Sequence, residues 1–367
     1  MPWVLIVLAA VLLIVSSLTI WAKRQLLDTD NWTTSSSELL EDPAIRNAIS
    51  VYLVNQLYNN VDVAGELQQG LPPRAQPLAA PLAAVLKEAS VRATDALLAR
   101  PRVQQLWETA NRTAHKQFLV IINGGRRLQT SNGEVVLDLR PILNRLAQTS
   151  VGARVVADLP PDAGRLVIMK SNQLKLAQKG VRAVKWLSVL VSLIVLVLLA
   201  VAVWISPYRR KIILGAGVAC VVCALIVLVA RRYLGNYVVD ALTENSPDFR
   251  GAADDAWSIG TDLLRDIGIN LLVYGLVIIA AALLAGPSRA ARALRRWMAP
   301  TLVHRPVVTY AVFVCAFLLL VLLGPTDAQR LVPLLVLFAF GLVGVEALRR
   351  QVAREHPEVA AAQPSAV

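Results

Sequence analysis

The run Trp186 to Ser206, WLSVLVSLIVLVLLAVAVWIS, carries no charged residue and constrains the fold more than any other stretch of the chain. About 20 apolar residues at roughly 1.5 Å rise match a hydrocarbon core about 30 Å thick, so this run is expected to cross a bilayer as a helix. The segment before it, SNQLKLAQKGVRAVK from Ser171, is amphipathic and basic. One helix is therefore predicted to pass from a polar domain into a membrane.

Five more spans are expected. Trp3 to Trp21 has no Lys or Arg before it and is longer than the roughly 7–15 residues of a signal-peptide core, so it reads as an uncleaved anchor. A third span follows Lys211 and ends at Arg231, and a fourth covers Ile267 to Ala285 with Asn270 as its one strongly polar group. The fifth starts at Pro306 or Val307 and ends at Leu323, and the sixth starts at Leu331 and reaches Val345. A hydrophobic content of 56% with mean hydropathy +0.55 supports a polytopic class, since soluble domains carry about 45–50% apolar residues.

The domains expected are an anchor (1–22), an extracytoplasmic α+β domain (23–185), a five-helix membrane region (186–348) with an acidic external segment (231–266), and a disordered cytoplasmic tail (349–367). Short arginine-bearing segments set the orientation: Arg209, Arg210 and Lys211; then Arg289, Arg292, Arg295, Arg296 and Arg305; then Arg349, Arg350 and Arg354. Such segments resist translocation, which places both termini in the cytoplasm. The excess of arginine over lysine, with abundant Ala, Val and Leu, suits a high-GC bacterial genome and hence a bacterial plasma membrane. A faint repeat of span, Ser-Pro or Gly-Pro, arginine-bearing turn and span occurs at Trp186–Ala230 and at Ile267–Leu323.

Within the external domain, Asp42 as N-cap and Pro43 at the first helical position announce a helix with an apolar stripe through Ile45, Ile49, Leu53 and Leu57. Asn59 and Asn60 end it, and GLPPRAQP reads as an extended connector. An alanine-rich helix is expected from Pro81 to Leu98, and a second from Pro101 to Ile122 burying Trp107, Ala110, Ala114 and Phe118. Asn132-Gly133 suggests a hairpin turn, Pro141 a short helix to Gln148, and RLVIMK from Arg165 to Lys170 a strand. The fold class expected is a six-helix all-α membrane bundle with a mostly helical α+β domain carrying a small antiparallel sheet.

Motifs for chemistry are sparse. No span carries an ionisable residue in its apolar interior, which disfavours proton-coupled transport and intramembrane aspartyl proteolysis. Asp255, Asp262 and Asp266 recur at i, i+7 and i+11 and, with Asp254 nearby, are candidate ligands for a divalent cation. Arg265 neutralises part of that cluster, and its spacing fits no EF-hand or prenyltransferase-type motif. His115 would have Glu108 and Asn111 on its side of the Pro101 helix, but no nucleophile, P-loop or zinc motif accompanies it, so a structural histidine is expected. His304 and His356 fall beside the membrane and in the tail. Cys220, Cys223 and Cys315 lie in apolar runs, so no disulfide is expected outside the membrane, and CVVC reads as buried small residues. No cofactor is expected.

Residues 23–185 hold 21 basic and 14 acidic residues, a surplus that would attract an anionic envelope component. The partners expected are the lipid bilayer, such a component or another membrane protein, and no nucleic acid. The stretches TSSSELLEDPAIRNAISVYLVNQLY, VQQLWETANRTAHKQ, GEVVLDLRP and GPSRAARALRRWMAP resemble those of an actinobacterial-type group of polytopic integral membrane proteins. The resemblance covers most of the chain and is one of sequence style and arrangement. It implies membrane location and an envelope setting, and brings neither a reaction nor catalytic residues. The functional expectation is a non-enzymatic membrane protein displaying an external domain for envelope interaction, scaffolding or sensing. The alternatives are a transporter or channel subunit lined by Gly, Ser and Asn270, and an envelope-lipid enzyme using the acidic segment.

Overall fold

The computed structural model describes residues 2–123, 130–131, 134–138, 165–323 and 331–355. The first helices are α1 (Pro2–Leu27), α2 (Thr29–Glu41), α3 (Pro43–Asn60), α4 (Val63–Gly70), α5 (Ala79–Leu98) and α6 (Pro101–Ile122). After them come α7 (Ser171–Ile205), α8 (Arg209–Thr243), α9 (Arg250–Gly260), α10 (Asp262–Leu284), α11 (Arg289–His304), α12 (Pro306–Leu323) and α13 (Leu331–Glu355). The chain forms two compact units, one of residues 1–21, 189–246 and 260–367 and the other of residues 22–188 and 247–259.

The first unit is that of a membrane protein. Four helices among the described residues are long and apolar enough to cross a bilayer: α1, residues Leu176–Ile205 of α7, α8 and α10. Their apolar side chains face outward, as with Val4, Val7 and Val11 on α1 and Leu193, Leu196 and Val197 on α7. Acyl chains can cover such surfaces, because every backbone group inside the helix is already paired. The first four of the six expected spans fall in these four helices. Helix α12 has 18 residues and no charge, and α13 carries its first charge at Glu346. Residues 349–355, expected in a disordered tail, continue α13, and the helix that carries the third span runs on past Arg231 to Thr243.

Helices α8 and α10 make the most extensive helix pair, and small residues set their approach. A Cβ on Gly217 would stand 3.0 Å from the Gly275 carbonyl oxygen, and one on Gly275 would stand 3.0 Å from that of Gly217. Helix α1 joins them through Cys223, whose Sγ donates to the Ala10 carbonyl at 3.2 Å, and meets α7 through Ser16 and Ser192, whose hydroxyls are 2.6 Å apart.

The second unit is predominantly helical, which corrects the α+β class expected for it. Its packing is helix on helix, α2 against α6 and α3 against α5. Short extended segments at 130–131, 134–138 and 165–170 pair antiparallel with one another. The expected helix at Pro141–Gln148 and the turn at Asn132-Gly133 lie outside the described residues. Three helices of this unit start on aspartate caps: Asp28 accepts from the Asp30 and Asn31 amides, Asp42 from Ala44 and Ile45, and Asp62 from Gly65.

Two expected stripes are rotated. On α3 the buried residues are Ile45, Ser50 and Val54, while Leu53 and Leu57 are exposed. On α6 the buried residues are His115 and Ile122. Ala110, Ala114 and Phe118 are exposed, and Trp107 is 39% exposed. The cause is polar pairing with α2. Helix α6 turns His115 and Arg112 toward α2, and Trp107 stays at the rim with its indole N–H donating to the Ser36 carbonyl at 2.8 Å.

Candidate functional site

Among the described residues of the helical unit His115 is the most enclosed titratable group, at 4% exposure. Its Nε2 lies 3.2 Å from the Leu26 carbonyl, which can only accept, so Nε2 carries the proton and Nδ1 accepts from the Thr29 hydroxyl at 3.2 Å. The ring stacks on Trp32 with centroids 5.0 Å apart. Glu108 and Asn111, expected beside it, are engaged elsewhere: Glu108 with Arg112 at 3.5 Å, and the Asn111 amide with the Trp107 carbonyl at 3.0 Å. Arg112 also pairs with Asp30. With both ring nitrogens bonded, His115 holds α6 to the α1–α2 corner and has no lone pair free for a metal or a proton transfer.

Burial pushes the His115 pKa below its ordinary value, opposed in part by the Leu26 carbonyl and the Asp28 carboxylate. The unfolded chain therefore binds the proton more readily. Its contribution to stability is complete above about pH 6.5 and is lost as the pH falls through the folded value. Thermal unfolding followed from pH 7.5 down to 5 is expected to show the native protein losing stability below about 6.5. A His115→Gln variant is expected to show a flatter dependence over that range.

The acidic candidates are divided between two helices. Asp255 lies on α9, whereas Asp262 and Asp266 lie on α10, and the helix breaks between them at Thr261. The i, i+7, i+11 spacing assumes one continuous helix, so that geometry is lost. Asp262 pairs with Arg265 at 3.4 Å. Asp255 has its pKa raised by burial and then by the Asp42 and Asp254 carboxylates. No group of three His, Cys, Asp or Glu among the described residues is placed to hold a metal ion. His356 lies outside the described residues.

A surface feature of the helical unit is more telling. On α5, Leu82, Val85 and Leu86 share one helical face, with Leu78 one turn ahead, and all four are exposed. The buried residues of that helix are Ala79 and Ala83. The large apolar side chains thus point away from the core and the small ones point into it.

In the membrane unit, polar side chains converge on the C-terminus of α10. Arg295 is 1% exposed. Its Nε and Nη2 donate to the two Glu355 carboxylate oxygens at 2.8 and 3.2 Å, and its Nη1 donates to the Gly286 carbonyl at 2.8 Å and to that of Leu284. Gln351 donates to the Ala285 carbonyl at 3.4 Å and to Glu355 at 2.8 Å, and Arg210 donates to the Ala282 carbonyl at 2.7 Å. The last carbonyls of a helix have no intrahelical partner and carry its negative dipole end, so guanidinium groups suit them doubly. Sequence reading took Arg295 as one of several topological charges. The signal for its role was Ser288 as N-cap, followed by the period Ala291, Arg295, Ala299 and Leu302, which places an arginine on the packed face.

Between α12 and α13 lies an open cleft of about 540 Å³ lined by Tyr310, Leu342, Val343, Glu346, Ala347 and Arg350. Its polar end is a closed network, with the Tyr310 hydroxyl donating to Glu346 at 2.8 Å and Arg350 pairing with the same carboxylate at 2.7 Å. The groups that could act as acid or base there are already mutually satisfied.

No family model, curated protein or solved structure matches the chain. The functional reading therefore rests on the chain's own chemistry.

Proposed function

We propose that this chain is a non-enzymatic plasma-membrane protein that displays its helical unit outside the cell, where it binds another envelope component. The observation that carries this reading is the exposed apolar stripe of α5. A helix that keeps alanines inside and presents Leu82, Val85 and Leu86 outside is patterned for a second surface. The 21 basic against 14 acidic residues of 23–185 suit a partner with an anionic portion.

The orientation proposed has both termini in a bacterial cytoplasm. It does not depend on whether α12 and α13 cross as a pair, because adding two spans to four leaves the parity unchanged. In either case residues 22–188 and 244–261 fall outside, and the arginine-bearing segments at 209–211 and 289–305 fall inside.

The test uses the full chain in living cells, with a photo-reactive residue placed at Val85. Crosslinks to envelope lipid, polymer or an envelope protein are expected. Crosslinks confined to cytoplasmic proteins would overturn both the orientation and the role.

A further inference from the structure

Helix α11 interrupts the passage between two apolar helices. Leu284 ends α10 and Arg289 starts α11, while His304 ends α11 and Pro306 starts α12. At roughly 3.5 Å per extended residue, those connections hold one end of α11 within about 18 Å of a span's end and the other within about 7 Å of an apolar helix. A helix tethered so closely at both ends stays at the level of the lipid headgroups.

Its rotation is also fixed. Ala291, Arg295, Ala299 and Leu302 form the packed face, where Ala299 and Leu302 meet Val352 and Arg295 is clamped by Glu355 and the α10 carbonyls. Two other faces are left. Leu294 and Trp297, three residues apart, are 41% and 77% exposed. Arg289, Arg292 and Arg296, spaced by three and four, are exposed on a different side. These three arginines form no ion pair among the described residues, and no acid occurs from Gly286 to Arg305.

We infer that α11 is an in-plane anchor that binds anionic phospholipid, with Trp297 and Leu294 seated at the acyl boundary and Arg289, Arg292 and Arg296 on lipid phosphates. Tryptophan favours that depth because its ring is apolar and its N–H is polar, and arginine forks match phosphate oxygens bidentately. The ligand is the bilayer's own phosphatidylglycerol or cardiolipin, which complements a face bearing three cations and no anion. The inference rests on the membrane class of the protein and is independent of which leaflet α11 occupies and of what the helical unit binds.

The test uses the full-length protein and has two arms. In the first, Cys220, Cys223 and Cys315 are replaced by alanine, and Leu294→Cys carries a fluorophore in vesicles of phosphatidylcholine with or without phosphatidylglycerol. Quenching by lipid-borne nitroxide and protection from iodide are expected. Free access of iodide would overturn the proposal, whether α11 faces water or a soluble protein. In the second arm, lipid bound to the detergent-solubilised protein is titrated by native mass spectrometry. Phosphatidylglycerol is expected to bind more tightly than phosphatidylcholine. The triple change of Arg289, Arg292 and Arg296 to alanine is expected to weaken phosphatidylglycerol about a hundredfold, at roughly fivefold per arginine. The same number of changes at Arg74, Arg100 and Arg102 should have little effect. Equal binding of the two lipids, or equal loss in the two triple variants, would overturn it. If the alanine triple does not fold, the lysine triple keeps the charge and should retain most of the preference, and its failure to prefer phosphatidylglycerol would count against the proposal.

Discussion

Replacing Arg295 by methionine is expected to destabilise the membrane unit by about 1–3 kcal/mol, because a buried guanidinium that donates to Glu355 and to two backbone carbonyls is lost. Methionine fills much of the same volume but donates nothing, so Glu355 loses its bidentate partner and the Leu284 and Gly286 carbonyls lose their donor. Unfolding of the detergent-solubilised protein by heat or denaturant measures the loss. A double-mutant cycle separates the cost of orphaned groups from the worth of the pair. Arg295→Met with Glu355→Leu should recover only the part of the loss that comes from the unpaired carboxylate, since the Leu284 and Gly286 carbonyls stay without their donor. If the single change is silent, α11 is not clamped to the end of α10 in the way described.

The second large effect is expected at the contact of α8 with α10. A Cβ on Gly275 would stand 2.8 Å from Val221 Cγ2, 3.0 Å from Cys220 Cβ and 3.0 Å from the Gly217 carbonyl oxygen. A valine terminus can turn away, but a helix carbonyl on the facing backbone cannot, so Gly275→Leu has to push the helices apart. Overpacking of this kind costs about 1–3 kcal/mol in a well-packed interior. Membrane helices depend heavily on close packing for their association, because lipid offers no hydrophobic drive to bring them together. Gly251→Ala is the matched control, since nothing lies within 4 Å of a Cβ placed there. As glycine is a poor helix former, that change is expected to leave the protein as stable or raise its stability by up to about 1 kcal/mol. A Gly275→Leu variant as stable as the parent would contradict the tight α8–α10 approach.

The sequence made the long apolar helices legible because a bilayer imposes one length and one composition, and α1, α7, α8 and α10 meet both. Helix boundaries were legible where a proline or asparagine reinforced a cap, as at Asp42-Pro43 and Asn59-Asn60. The same aspartate caps at Asp28 and Asp62 passed unread because α2 follows its cap with polar residues and α4 is only eight residues long. The inward faces of α3 and α6 were misread for another reason. Periodicity counts large apolar residues, whereas here His115 turns inward because Thr29 and the Leu26 carbonyl await it on a neighbouring segment, and Ser50 is buried with its hydroxyl donating to the Arg46 carbonyl of its own helix. No local pattern announces such a partner 86 residues away, as Thr29 is from His115. The aspartate spacing assumed one continuous helix, whereas the helix breaks at Thr261, whose hydroxyl accepts from Arg231 at 2.8 Å.

The most direct measurement of the central claim is cysteine labelling in intact cells with a membrane-impermeant maleimide, in a variant whose three native cysteines are replaced. Asn60→Cys at the end of α3 and Ser246→Cys between α8 and α9 are exposed positions, as is Ser288→Cys at the start of α11. The first two are expected to label from outside, and the third only after the membrane is permeabilised, because arginine-rich short segments stay on the cytoplasmic side. Labelling of Ser288→Cys from outside, with Asn60→Cys protected, would show the protein to be inverted and would remove the external role assigned to its helical unit.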